Sequence, residues 1–363
     1  MRSYFKALLR PSLLAIMSAF FIVYVLAVVI VPFMKRYPVF YQGLETAYLA
    51  YTLKFNSNST SPAIFMVGGS RFVEMTYSNE HVNAQLKKYS TKNFQYINLS
   101  SYGLVIAEQL VVIQQTHFAK GSVVLIGVNI REFSKPDLKA RRALQRQRLS
   151  FLDYKNAEQT LIEAGIPFGN TNQPSVYQSR FWLGDFIAQF KLKTLFTQNW
   201  HELLVPYARP NMFGSKISFS MAALERRKNE LSYFGQNHKY NRDLIEFIIN
   251  FSEHEKGYKV YLFQAPAPFA TQQLEAPYLS AFQEDLNYLV ENTGAQVINA
   301  NNDVLVNNEF HDLIHLNELG REHYEETFMK QLASVANDNF DEKKGVHIDK
   351  SSTALAAVNN TVF

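Results

Sequence analysis

A serine hydroxyl attacks a carbonyl only when a neighbouring base accepts its proton, and an imidazole serves best when a carboxylate fixes its tautomer. The chain carries the parts of such a relay. Ser70 follows Gly68 and Gly69 at the end of an apolar run, and Asp312 and His315 stand three residues apart in Asp312-Leu313-Ile314-His315. The two glycines permit a tight backbone path that leaves a short hydroxyl side chain exposed where a strand turns into a helix. These types support acyl transfer through an ester on Ser70, with His315 as base and then acid and Asp312 orienting it. Each piece also has a plainer use. Serine is a favoured helix N-cap, and an aspartate in a loop readily bonds the backbone just after it.

Two further segments complete the set: Asn98-Leu99-Ser100-Ser101-Tyr102-Gly103 and Gly127-Val128-Asn129. Gly103 can offer a backbone N–H without steric obstruction, and Asn129 a side-chain amide. With the N–H of Ser70 they make a three-donor oxyanion hole, in which loss of one donor costs ~3 kcal/mol of transition-state stabilisation. Read singly, Gly103 is a helix-start glycine and Asn129 a turn residue. His311 and His315 also have the i, i+4 spacing of a helical metal pair. They lack the acidic partner of a His-Glu-x-x-His arrangement, so no metal is expected, and no cofactor. The chain has no cysteine, which excludes disulfides, thiolate metal sites and cysteine nucleophiles.

These segments need a scaffold that brings them to one edge. Runs at 63–67, 94–99, 122–127, 259–264 and 295–298 read as five strands, most of them apolar enough to be covered on both faces. Helical patterns fall between them at 81–89, 104–119, 241–255, 282–291 and 318–335, the fourth-strand approach being stopped by Gly257. Alternating strands and helices predict an α/β fold with a mostly parallel five-stranded sheet, whose ligands sit at the strands' carboxyl ends. Residues 134–239 interrupt the rhythm. This stretch has no obvious strand, holds Trp182 and Trp200, and begins with Lys135, Lys139, Arg141, Arg142, Arg146 and Arg148. It reads as a helical insertion, either a lid or groove wall or a solvated basic face over ordinary aromatic core.

Residues 12–33 are apolar and uncharged, and ~20 such residues cross a bilayer as a helix. Arg2, Lys6 and Arg10 precede the run and Lys35 and Arg36 follow it, which favours a cytoplasmic N-terminus. No small-x-small cleavage pattern ends the run. The expected organisation is an uncleaved signal anchor over 1–36, a juxtamembrane stalk and linker over 37–61, a main domain over 62–336 outside the cytoplasm, and a poorly ordered polar tail over 337–363. Hydrophobic residues make up 47% of the 363 and charged residues 19%, as in an ordinary folded protein. The net charge of +4 allows mild attraction to anionic polymers or phospholipid surfaces; no nucleic-acid partner is expected.

Together the four segments resemble the SGNH (GDSL-like) hydrolase superfamily. That family places its nucleophile after the first strand, its glycine after the second, a Gly-x-Asn after the third, and an Asp-x-x-His near the C-terminus. The matching positions are Ser70, Gly103, Asn129, and Asp312 with His315, over about residues 63–335. Two positions depart from the common pattern: Gly69 stands where an aspartate often precedes the serine, and Ile130 where one often follows the asparagine. The resemblance implies a three-layer α/β/α, flavodoxin-like fold. With the anchor, it extends to a membrane-tethered branch that includes proteins of teichoic-acid D-alanylation and alginate O-acetylation. Such proteins often work with a multi-spanning membrane O-acyltransferase. The implied activity is that of an esterase or O-acyltransferase acting on acetyl-type esters of a cell-envelope glycan. Two rivals stay open: an inactive binding or assembly subunit of the same fold, and a metallohydrolase using His311 and His315.

Overall fold

The computed structural model describes residues 62–90, 92, 94–136, 152–166, 220–299 and 306–339, with isolated positions between 15 and 53. Five strands, β1 (Ala63–Val67), β2 (Gln95–Asn98), β3 (Val123–Val128), β4 (Lys259–Gln264) and β5 (Gln296–Asn299), form one sheet in the order β2-β1-β3-β4-β5. Every pairing is parallel. This is the flavodoxin-like doubly wound order, in which the chain leaves β1 and β3 in opposite directions and opens a crevice between their carboxyl ends.

The inner strands β1, β3 and β4 are mostly hydrophobic because both faces are covered, while the edge strands β2 and β5 carry polar residues at both ends. In β1, Ala63, Phe65 and Val67 point into one core while Ile64 and Met66 point into the other. The same two-residue alternation divides Val124, Ile126 and Val128 from Val123 and Leu125, and Val260 and Leu262 from Tyr261 and Phe263. Helices α1 (Ser70–Glu74), α2 (Asn79–Tyr89), α3 (Ile106–Gln114), α4 (Ile130–Ser134), α5 (Tyr154–Glu163), α6 (Met221–Leu231), α7 (Phe234–Asn250), α8 (Phe269–Glu275), α9 (Leu279–Thr293) and α10 (Glu318–Asp338) fill the connections. Residues of α3, α5, α7 and α9 build the first core, and residues of α2 and α10 the second. The architecture is thus α/β with helices on both sides of an all-parallel sheet.

Some expected boundaries move. Helix α7 starts at Phe234, seven residues before the apolar pattern announces it, and ends in a π-helical turn, Phe251–Glu255. Its first turns look polar in sequence because their polar groups are satisfied by tertiary partners. His238 Nδ1 lies 2.7 Å from Asp285 Oδ2, and the Asn237 amide donates to the carbonyl of Ser134 at 3.2 Å. Helix α3 is shorter than the run 104–119 suggested, since the chain turns at Gln115 and its last residues form the approach to β3. The five-residue helices α1 and α4 and the seven-residue α8 carry too little periodicity to be read in advance.

Among the described residues, no helix is long and apolar enough to cross a membrane. The expected anchor, 12–33, lies outside the described residues except at isolated positions, as does the tail from 340 onward. The basic cluster Arg141, Arg142, Arg146 and Arg148 and both tryptophans are likewise outside them. In the expected stalk, Leu49, Thr52 and Leu53 are helical and buried, and the two leucines belong to the first core. These residues are part of the domain's packing rather than a spacer standing off it.

Gly68 and Gly127 have a packing reason that their catalytic-looking motifs conceal. The fully buried Phe72 ring lies against both, so that a Cβ on either glycine would stand 2.3 Å from it. Phe72 is held from its other side by Phe263, edge-on at 6.2 Å. Gly127→Ala should therefore destabilise the protein by about 1–3 kcal/mol through overpacking. Chemical denaturation measures this, and adding Phe72→Leu should recover part of the loss. Equal losses with and without the smaller side chain would show that the contact is not the cause.

Candidate functional site

All four motif segments emerge at the carboxyl edge of the sheet. Ser70 opens α1 directly after β1. Gly69, with extended backbone, occupies the capping position, and no side chain caps this helix. The Ser70 hydroxyl is thus not spent as an N-cap, the plainer use its sequence suggested. The next loop is stitched alongside: Leu99 N–H donates to Met66 O at 2.7 Å and Ser101 N–H to Gly68 O at 3.1 Å, which extends the parallel ladder past both strands. Gly103 then reverses the chain with φ at +70°, a left-handed conformation that favours glycine. Asn129, after β3, caps α4 by accepting from Glu132 N–H at 3.3 Å. That bond engages the Oδ1 end of the amide.

The buried asparagine that heads the Asn98–Gly103 segment, given no role by the sequence, organises this edge. Asn98, at the end of β2, donates to Phe72 O at 2.8 Å, and its oxygen accepts from Ser100 N–H at 2.9 Å. Asn79 Oδ1 accepts from its backbone N–H at 3.0 Å. The glycine loop is therefore tied to the helix that begins at Ser70. Glu132 approaches from the other side: its Oε1 is 3.5 Å from where a Cβ on Gly69 would stand. Burial alone would raise its pKa, but Lys135, Arg131 and Arg71 outweigh burial and hold the carboxyl ionised.

The Asp312–His315 segment is a tight loop closed by an antiparallel bridge between Phe310 and Leu316 and by His311 N–H donating to His315 O at 2.8 Å. Thr271 of α8 clamps the loop through a 2.6 Å bond to Leu313 O, and the buried Asn317 caps α10 by accepting from Gly320 N–H at 3.0 Å. Asp312 does two things at once. Oδ1 accepts from the backbone N–H groups of Ile314 and His315 at 2.8 and 2.9 Å, and Oδ2 lies 2.8 Å from His315 Nδ1. The local-turn use and the orienting use of this aspartate are one structure. An ionised carboxylate accepts, so His315 Nδ1 carries the hydrogen and Nε2 is the basic nitrogen. Burial pushes the Asp312 carboxyl up, yet the His315 bond and charge and the two backbone N–H groups bring it down to about 2.

The rings of His315 and Tyr102, the residue before Gly103, have centroids 6.1 Å apart, so the histidine loop meets the glycine loop. A second tie is ionic. Glu74 in α1 and Arg321 in α10 pair at 2.7 Å with both side chains 3% exposed, joining the helix that starts at Ser70 to the helix that follows His315. Removing one partner of so buried a pair strands a charge. Arg321→Met should cost about 3–5 kcal/mol, and Glu74→Leu with Arg321→Met should recover most of it. Thermal unfolding of wild type and the two variants decides: a double variant no better than the single one would contradict this account. Among the described residues no hydrogen bond joins Ser70 to His315.

His311 and His315 do not share a helix, because the loop between them is non-helical; the helical spacing behind the metal alternative is absent. Among the described residues no group of three or more histidine, aspartate or glutamate side chains gathers as metal ligands. The sequence reading missed an arginine cluster beside the site. Arg71 and Arg227 share Glu275 at 3.5 and 3.3 Å, and Arg131 holds Glu230 at 2.7 Å. Arg131, Arg226, Arg227, Glu230, Asp312 and Ile314 line a cleft of about 110 Å³. Helix α6, within the 134–239 insertion, forms one wall of that cleft. Only the position of Arg71 directly after Ser70 hinted at any of this.

Fold and site together define a doubly wound α/β protein with a histidine–aspartate pair beside the β1/β3 crevice. No known family model matches the chain, and no curated protein matches it.

Proposed function

We propose that this protein is a membrane-anchored, extracytoplasmic serine esterase or O-acyltransferase of SGNH type, acting on acetyl-type esters of a cell-envelope glycan. The observation that carries the reading is the Asp312–His315 pair, bonded through Nδ1 at 2.8 Å and meeting the loop of Gly103 through Tyr102. Ser70 Oγ attacks the acyl carbonyl while His315 Nε2 takes its proton. The backbone N–H groups of Ser70 and Gly103 and the Asn129 amide receive the oxyanion. Collapse expels the alcohol, protonated by His315, and leaves the acyl group on Ser70. Water or a sugar hydroxyl then attacks that ester by the same steps in reverse. The missing Ser70–His315 bond fits a site whose contacts tighten with substrate.

The anchor reading is supported by the uncharged run 12–33 and by Ile16, Met17, Phe21 and Ile22, helical residues that each expose more than half their surface. On this reading the bilayer and a multi-spanning membrane O-acyltransferase are partners, and the N-terminus is cytoplasmic. The absent Ser70–His315 bond also favours a second reading, a catalytically silent binding or assembly subunit. One experiment separates them. The full chain in detergent should hydrolyse 4-nitrophenyl acetate and be labelled by a fluorophosphonate at Ser70, located by peptide mass. Absence of both labelling and turnover would leave the silent-subunit reading.

A further inference from the structure

Four arginines gather at and behind the cleft beside Asp312. Glu230 is engaged by Arg131 at 2.7 and 3.4 Å, and Asp312 by His315 at 2.8 Å. Lys135 answers Glu132 at 2.7 Å. Behind the cleft, Arg71 and Arg227 divide one carboxylate, Glu275, at 3.5 and 3.3 Å. Arg71, Arg131 and Arg227 are thus packed among the carboxylates Glu132, Glu230, Glu275 and Asp312, while Arg226 adds a further charge at the exposed rim.

Arg227 is the least satisfied of them. Its side chain is 4% exposed, and its ion-pair contacts of 3.3 and 3.7 Å exceed the about 2.7–2.9 Å of a well-formed charge-assisted bond. Its Nε has no hydrogen-bond partner among the described residues. Burial first, then the charges of Arg71 and Arg131, push its guanidinium down to about 9 against the pull of Glu275 and Glu230. A guanidinium lining a cleft, with its terminal nitrogens held only at those distances, can take a closer acceptor from a ligand there. At about 110 Å³ the cleft is well below the roughly 300–1,000 Å³ of a whole-ligand pocket. It suits one substituent.

We infer that this cleft is a subsite for a single oxyanion of the substrate, a carboxylate or sulfate group held by Arg226 and Arg227 beside the Asp312–His315 pair. The inference rests on the esterase reading and specifies its substrate as a charged one. The anion can reside on the acyl group or on the alcohol.

The test uses the full chain and two substrate pairs, each an anionic ester with an uncharged counterpart. 4-Nitrophenyl hemisuccinate against 4-nitrophenyl butyrate places the charge on the acyl side. 4-Acetoxybenzoate against 4-acetoxybenzamide places it on the alcohol side. The ratio of kcat/KM within a pair is compared between wild type and Arg226→Gln, so intrinsic ester reactivity cancels. In one pair the anionic preference should fall about tenfold or more, the loss of a charge-assisted contact. Arg227→Lys should lower it further, but since this buried residue also holds Glu275, Arg226→Gln decides if it misfolds. Inorganic sulfate, titrated by calorimetry, should bind wild type and be weakened by Arg226→Gln.

Neutral esters turned over through Ser70, with no anionic preference and no sulfate binding, would overturn the subsite and leave the esterase reading standing. Sulfate binding lost in Arg226→Gln, with no ester of either kind hydrolysed, would sustain the subsite and remove the esterase reading.

Discussion

Replacing Ser70 by alanine should lower ester turnover by about 10⁶-fold, the loss seen when a nucleophile is removed from a relay of this kind. Ser70 is half-buried at the start of α1 and its hydroxyl caps no helix, so the substitution removes one oxygen and little else. Folding, followed by thermal unfolding, should be nearly unchanged. His315→Ala should cost about as much, and the double variant no more than either single one, because a nucleophile and its base act as a unit. Burst kinetics with 4-nitrophenyl acetate provide the measurement. Full activity in Ser70→Ala would end the serine mechanism, and additive losses would separate Ser70 from His315.

Asp312→Asn should lower kcat by about 10⁴-fold for a different reason. The asparagine oxygen can still accept from the N–H groups of Ile314 and His315, which Asp312 Oδ1 does at 2.8 and 2.9 Å. Its NH2 would then face His315 Nδ1. The imidazole must present a lone pair there, the hydrogen moves to Nε2, and the base is lost. The same substitution has a signature in stability. The Asp312 carboxyl is held at about 2 against an ordinary value of 3.8, so its contribution is fully present above about pH 4. It is lost as the pH falls toward 2. The difference in unfolding free energy between wild type and Asp312→Asn should therefore be constant near neutrality and shrink across that window. A difference that grew on acidification would contradict the assigned pairing.

What could be read in advance was what depends on near neighbours. Strands Ala63–Val67 and Lys259–Gln264 have the bounds their apolar runs suggested, because the middle of a doubly covered strand is apolar on both faces. The bond between Asp312 and His315 closes over three residues, within reach of a single loop. Helix α7 was misjudged over its first seven residues because Asn237 and His238 are satisfied by groups far along the chain. Gly68 and Gly127 looked like parts of a reactive motif, and their shared reason, the Phe72 ring, became visible only with β1 and β3 side by side.

The sequence by itself determined the alternation of strands and helices, the candidate side chains, and the short loop that pairs a carboxylate with an imidazole. These follow from residue type and local spacing. The tertiary structure alone decided the strand order that opens the crevice between β1 and β3, and the Glu74–Arg321 tie between the helices beside Ser70 and His315. It also decided the arginine cleft, whose contacts bridge 204 residues from Arg71 to Glu275 and 99 from Arg131 to Glu230. Charged side chains at such separations carry no periodic signal. Their partners are chosen by where the packed sheet and helices bring them, and burial then makes those partners obligatory.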